Sequence, residues 1–504
     1  MNKGIFLLVL FSLILSGIGA SASNQKITLT KDDCAEDIPI LKHIDDYDMV
    51  IISPEVFLHG LQPLIEHKNN YGIRTYLKTT EEIYNEFDGN DKPEQIKNFI
   101  KQAKETQNIR YVLFVGGLKH YIWNNPRDTI NAGEEYWHVP VRYSNIVEPR
   151  GYNWYDPGFI SDLYYADIYY KDGNFSSWDT DKNGIYGEWN NRDLTSRDKD
   201  ILDLYPDVYV GRLACRNTYE VEVVVNKIIT YESQSHEEEW YKKIILAGGN
   251  SFGDTHGHFE GELTCEHIYN RYMSEFTPIK LYVSNADSHY RPTPENMIRE
   301  VSSGCGFLFI EGHGKPGKIG TFWDDNLEDK RGIIDVSHIS SLTNCDQYPI
   351  AVLGGCCNAH INISIFYPDL KHIINDMFNG IWDIFGWSCP KSLSWSLVSK
   401  KGGGSVATLG FTGFAYASFQ NDHGDIDGNG IDDPDYVEEK HAYLLQSFFE
   451  AIDNGLETLG EVWADTLNRY LCSWPAMDDW SDAKNIEAWV LLGDPSLKIR
   501  GYSN

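Results

Sequence analysis

Cys356 and Cys357 close an apolar run, Pro349 to Leu353, through Gly354 and Gly355, and an earlier apolar run ends in the same way at His313 and Gly314. A thiol beside an imidazole is a nucleophile with its acid–base partner: the thiolate attacks a carbonyl carbon and the imidazolium protonates the leaving amine. Taken singly, either cysteine reads as a small core hydrophobe and His313 as a loop histidine. The pair reads differently. Apolar runs bounded by glycine fit strands of a parallel sheet, whose carboxyl ends carry the chemistry. If the two strands are neighbours, one crossover brings both side chains to the same edge. Gly314 then lets backbone approach a substrate, and the N–H groups of Gly314 and Cys356 could hold a developing oxyanion. A bridge between Cys356 and Cys357 would strain the peptide joining them.

Other groups compete for attention. Gly249 to Gly253 spells the G-x-S-x-G elbow after an apolar run, which nominates Ser251 as a rival nucleophile, although a strand-to-loop turn explains the same residues. Two stretches alternate oxygen ligands ahead of a glycine, as the first half of a calcium loop does. One carries Asp179, Asp181 and Asn183, with the Ile185 carbonyl next and Glu188 as the closing ligand. The other carries Asp425, Asp427 and Asn429, with the Ile431 carbonyl and Asp433 in the same places. Neither has the twelfth-position glutamate of an EF-hand, since Asn190 and Tyr436 stand there. An acidic turn is the plainer reading of each loop, and two such loops in one chain favour calcium.

The elements that must place these groups follow from periodicity. From Tyr47, apolar runs alternate with helix-period segments such as Lys92 to Glu105, the mark of βαβ units on a parallel sheet. Between about Leu118 and Asp203 the composition shifts to Tyr, Trp, Asn, Asp and Gly without a period, a long irregular insertion of the kind that usually serves function or is held by ligands. After the charged stretch at His236 to Trp240 a second α/β series begins, in which Thr293 and Pro294 mark a helix start. The expected organisation is therefore α/β: a smaller N-terminal subdomain over residues 23–236 containing the insertion, then a catalytic subdomain over 237–504.

Residues 1–22 read as a secretory signal peptide, with Lys3 ahead of the apolar Ile5 to Leu15 and a small-residue cleavage site at Ala20 to Ala22. A retained anchor is the alternative. No later run has the length of a membrane span, so a secreted, extracellular protein is expected. The 504 residues carry 43 Lys and Arg against 74 Asp and Glu, a formal net charge of -31. Such a surface repels nucleic acid and favours divalent cations. Nine cysteines are too few for a disulfide scaffold in a chain this long, and their odd number leaves one unpaired.

The segments around His313 and Cys356 resemble the histidine and cysteine boxes of the gingipain family of cysteine peptidases, which share a caspase-like fold. The resemblance continues through "SDLYYAD", "DLYPDVYVGRL", "GSVATLGFTG" and "LLGDPSLKI", from about Tyr47 to Ile499. It implies that Cys356 is the nucleophile, that His313 is the general acid–base, and that protein or peptide substrates are cut. It further implies an acidic S1 residue best matched by Glu262, with Tyr416 as an aromatic wall, and hence Arg or Lys at P1; a helix acid favoured by the dipole explains Glu262 equally well. The expectation is a secreted, calcium-stabilised cysteine endopeptidase. Its rivals are a catalytically inactive calcium-binding or adhesive surface protein and a serine hydrolase using Ser251.

Overall fold

The computed structural model describes residues 46–120, 134–149, 158–191, 199–234, 238–252, 259–324, 327–365, 389–418, 424–425 and 433–502. The expected signal peptide lies outside them. In the first unit, β1 (Met49–Ser53), α1 (Leu58–Asn70), β2 (Thr75–Thr79), α2 (Thr80–Glu86), α3 (Lys92–Gln107) and β3 (Tyr111–Val115) alternate as the periodicity predicts. The insertion follows with β4 (Tyr143–Val147), β5 (Phe159–Ile160), α4 (Leu163–Ala166) and β6 (Glu188–Asn190), after which β7 (Tyr209–Leu213) and α5 (Thr218–Glu232) restore the pattern. The sheet order is β2-β1-β3-β7, parallel throughout. Capping explains where helices start. Thr79 and Glu82 form a reciprocal capping box on α2, and Asp91 accepts from Glu94 N at 2.9 Å at the start of α3.

The second unit comprises β8 (Lys243–Gly248), α6 (Glu260–Tyr272), β9 (Thr277–Tyr282), α7 (Pro294–Ser302), β10 (Phe307–Ile310), β11 (His313–Lys315), β12 (Lys318–Phe322), β13 (Lys330–Asp335) and β14 (Ile350–Leu353). Then come α8 (Leu393–Val398), β15 (Ala407–Phe411), α9 (Asp435–Glu438), α10 (Lys440–Asp453), α11 (Leu459–Ser473), α12 (Trp480–Ala488) and β16 (Trp489–Leu492). Thr293 caps α7 by accepting from Asn296 N, with Pro294 in the first turn. Six strands run in the order β16-β15-β14-β10-β8-β9, parallel except where β16 lies antiparallel to β15. Strands β10 and β14 are direct neighbours, Ile310 beside Leu353. All four residues of each are buried, which is why both read as unbroken apolar runs.

The strands of the two sheets lie within residues 49–213 and 243–492, and the chain crosses back after β16. Asp494 meets the buried Lys68 of α1 at 2.7 Å, Glu232 meets the same lysine at 2.8 Å, and Lys498 N donates to Glu232. The insertion is not a solvated loop either. It buries Trp178, Tyr164 and Tyr165 completely, and Arg142 pairs with Asp91 at 2.7 Å. No helix among the described residues is long and apolar enough to cross a membrane, and none of the described cysteines forms a disulfide.

Candidate active site

Strand β10 delivers Glu311, Gly312 and His313 to the carboxyl edge of the sheet, and β14 delivers Gly354, Gly355 and Cys356 beside them. The two glycine-bearing turns touch through backbone. A Cβ on Gly314 would overlap the Cys356 carbonyl oxygen and stand 2.6 Å from its nitrogen, and one on Gly355 would stand 2.8 Å from the Gly314 Cα. These glycines are therefore required by close approach, and the approach brings the imidazole-bearing strand onto the thiol-bearing turn. Of the two thiols, Cys356 retains partial exposure and Cys357 has none. Cys357 takes a left-handed φ of 56° and its N–H donates to the Gly413 carbonyl at 2.9 Å, so the chain reverses there and turns only the first sulfur outward. The Ala415 N–H lies 3.4 Å from Cys356 Sγ, where it can donate to a thiolate.

His313 is oriented by backbone. Its Nε2 donates to the Ser251 carbonyl at 2.8 Å, which leaves Nδ1 as the nitrogen free to exchange a proton. Phe252 and Phe322 stand edge-on to the ring at 5.9 and 5.6 Å between centroids. Desolvation by these neighbours, helped by the charge of Lys330, pushes the imidazole down to about 3 and keeps it neutral. The elbow residue Ser251 is thus part of the site, but through its carbonyl. Its own side chain is buried, its N–H donates to Glu260 Oε2 at 3.0 Å, and no imidazole meets its hydroxyl among the described residues.

Tyr416 stands next to the Ala415 that touches Cys356. Its hydroxyl donates to Glu148 of the insertion at 3.1 Å, its ring meets Trp480 edge-on at 4.7 Å, and Asn485 brackets its backbone through both amide atoms. Glu148 is in turn paired with the buried Lys484 of α12 at 2.6 Å. Glu262 lies in the first turn of α6, where the Ser284 N–H and hydroxyl engage both of its carboxylate oxygens. Burial pushes that carboxyl upward.

Of the two acidic loops, the first is described in full. Asn183 N donates to Asp179 and Asp181 at 3.0 and 3.1 Å, Gly184 N donates to Asp179, and Ile185 N donates to Asn183 Oδ1. Glu188 accepts from Asn183 Nδ2 at 2.7 Å. The residue that sequence reading omitted is Asp200, which lies after a gap in any spacing motif. Its carboxylate and those of Asp179 and Asp181 offer oxygens all within 4.8 Å of one another. Asp200 is buried, so its charge is pushed toward neutrality by desolvation and by Asp181, and no basic side chain among the described residues pairs with any of the three. Three hard oxygen donors without a protein cation fit calcium chemistry. In the second loop Asp427, Asn429 and Ile431 lie outside the described residues, while Asp433 is engaged by Arg271 at 2.9 Å.

A mainly parallel sheet carrying a thiol and an imidazole on adjacent strand ends is the caspase-like arrangement of a cysteine peptidase. Residues 43–500 match peptidase family C25, and the chain belongs to that family. Gingipain R2 of Porphyromonas gingivalis is 22% identical over 335 residues, covering 65% of this chain and 35% of that protein. Lys-gingipain of the same organism is 23% identical over 31% of this chain and 8% of its own length. The chain therefore spans about a third or less of these relatives. The crystal structure of the Arg-specific cysteine proteinase gingipain R superposes with a TM-score of 0.56 at 18% identity, over 90% of this chain and 78% of that one. The complex of Porphyromonas gingivalis RgpB pro- and mature domains gives 0.54 at 18% identity. At such identity the structures speak for the fold.

Proposed function

We propose that the protein is a secreted cysteine endopeptidase that uses Cys356 and His313 as its dyad, is stabilised by calcium, and cuts after Arg or Lys. The observation that carries the peptidase reading is the packing of the His313–Gly314 strand on the Gly355–Cys356 turn. A neutral His313 accepts the Cys356 proton at Nδ1 as sulfur attacks the scissile carbonyl carbon. The N–H groups of Gly314 and Cys356 receive the negative charge that gathers on the carbonyl oxygen. His313 then returns the proton to the leaving amine, and water repeats the sequence on the thioester. The Ser251 carbonyl supports the imidazolium between these transfers, as a carboxylate does in a triad.

Asp179, Asp181 and Asp200 would hold calcium, which would relieve their mutual repulsion and tie the insertion together; Asp425 and Asp427 are the corresponding carboxylates of the second loop. The N-terminal signal-like segment supports export. The test is alkylation of the native protein with an iodoacetamide probe, with and without calcium, alongside peptide cleavage by wild type and Cys356→Ala. Modification of Cys356 and loss of cleavage in the variant are expected. Cleavage that survives Cys356→Ala but not Ser251→Ala would replace this mechanism with the serine one.

A further inference from the structure

The chain that leaves β15 runs past the Cys356 turn without regular secondary structure and meets the sulfur at one residue. Ala415 N lies 3.4 Å from Cys356 Sγ, and the Ala415 carbonyl oxygen lies 3.6 Å from it. A thiol can use either group, donating its proton to the carbonyl, whereas a thiolate only accepts and so needs the N–H. The orientation of this backbone therefore bears on how readily the sulfur gives up its proton. The segment is pinned on both sides of the Phe414–Ala415 peptide that carries the N–H. Upstream, the Gly413 carbonyl accepts from Cys357 N at 2.9 Å. Downstream, Tyr416 N donates to Asn485 Oδ1 at 2.8 Å, and Tyr416 O accepts from Asn485 Nδ2 at 2.9 Å and from His441 N at 3.1 Å.

Asn485 lies on α12 and is fully buried. Its amide sets an acceptor and a donor side by side, which matches the N–H and C=O of a single backbone residue. A trans peptide points its N–H and its C=O to opposite sides. With the Tyr416 N–H drawn to Asn485, the Ala415 carbonyl of the same peptide faces away from the amide, on the side of the sulfur. Without the amide the Tyr416 N–H loses its acceptor, a loss that turning the peptide toward another partner relieves, and the turn carries the neighbouring Ala415 N–H off Sγ. Lys484, the preceding residue of α12, pairs with Glu148, which accepts from the Tyr416 hydroxyl, so the ring is held from the same helix. Burial keeps His313 neutral, so the imidazole brings no positive charge to the resting sulfur and the backbone donor carries more of the weight.

We propose that Asn485 is a positioning residue for Cys356: by clamping the Tyr416 backbone it holds the Ala415 N–H on the sulfur, where that donor stabilises the thiolate that attacks the substrate. The proposal rests on the peptidase reading and deepens it. The full chain is treated with iodoacetamide across a pH series, the modified Cys356 peptide is quantified by mass spectrometry, and peptide cleavage is followed alongside. In wild type the midpoint of Cys356 alkylation should lie below the value of about 8.5 of a free thiol. Asn485→Leu, which keeps the size of the side chain and removes its amide, should raise that midpoint by about one unit, the scale of one hydrogen bond to a charged group. Its kcat/KM near neutral pH should fall about three- to tenfold, as a weaker acid gives up its proton less readily in the attack. Ile486→Val, at the next buried position of the helix, loosens packing without touching the clamp; it should lower the melting temperature and leave the midpoint in place. Should Asn485→Leu not fold, Asn485→Ala, which removes the same amide and adds no branch, is expected to give the same rise. An unchanged midpoint in a folded variant without the amide, an equal rise in Ile486→Val, or a wild-type midpoint at or above the free-thiol value would overturn the assignment while the dyad chemistry stands. A wild type that cleaves no peptide and leaves Cys356 unalkylated would remove the peptidase reading and this proposal together.

Discussion

The carboxyl edge of the second sheet and the acidic loop of the insertion hold their polar groups by opposite means. At the edge, backbone does the positioning: paired strands fix Ile310 and Leu353, glycines let the turns touch, and a main-chain carbonyl aims His313. In the loop, Asp179, Asp181 and Asp200 converge through their own side chains and are held apart from collapse by backbone N–H donors. A site of the first kind is complete once the sheet forms. A site of the second kind gathers like charges, so on the calcium proposal its order would depend on solution conditions as that of the edge would not.

The largest expected effect tests the edge. Cys356→Ala should lower kcat/KM by at least about a thousandfold with no change in melting temperature, as removal of a nucleophile from an intact scaffold does. A melting temperature that falls together with activity would mean that the sulfur also supports the turn. The next addresses the loop. Excess EGTA should lower the melting temperature by about 3 °C, since a ligand present at 100 times its Kd contributes about 2.7 kcal/mol to the folded state. Asp200→Asn should melt at a lower temperature in calcium and lose most of its response to EGTA. A wild-type curve indifferent to chelation, with no calcium found by elemental analysis, would make the loop a plain acidic turn and erase the contrast.

Gly314→Ala should be milder in stability, costing about 1–3 kcal/mol as an overpacked position does, while its activity falls further than its stability because the added methyl forces the two turns apart. Equal and small losses would show that the turns can separate without harm. The smallest effect concerns pH. Since His313 titrates near 3 rather than 6.5, the unfolded chain takes up a proton below about pH 6.5 that the folded chain refuses, so this group erodes stability as pH falls from 6.5 toward 3 and is neutral above that window. The same shift places the acid limb of the kcat/KM profile well below the ordinary imidazole range. Lys330→Gln removes one of the charges that depress the ring and should move that limb upward by a few tenths of a unit, roughly the scale of a partly screened pair. A limb centred at 6.5 in wild type would mean that water, not the two phenyl rings, surrounds His313.

What could be read from the sequence divides along the same line. The neighbouring strands, the glycine turns and the placing of His313 and Cys356 at adjacent strand ends were legible, because parallel buried strands write themselves as unbroken apolar runs and their ends are marked by glycine. The start of α7 at Thr293 was legible for a similarly local reason. Long-range partners were not. Asp200 belongs to no spacing pattern with Asp179 and Asp181, and the Ser251 carbonyl orients His313 through an atom that every residue possesses. Asn485 brackets the backbone of Tyr416 from 69 positions away, and nothing in the sequence around either residue records the pairing. The insertion read as irregular since its strands are short and its aromatic residues are buried without period.

The crossing of the chain after β16 has a consequence for biosynthesis. Ser496 reaches Met49, 447 positions away in sequence, and the Lys68 ammonium sits between Glu232 and Asp494. While the ribosome is still making the second unit, the first already possesses its sheet but has a buried cation with only half of its counter-charge. Such a nascent unit remains open to proteases and chaperones until Asp494 emerges. A truncated translation product should therefore be degraded rather than released, so that the thiol and imidazole come together in the cell only in chains that have been read through to the segment that locks both units.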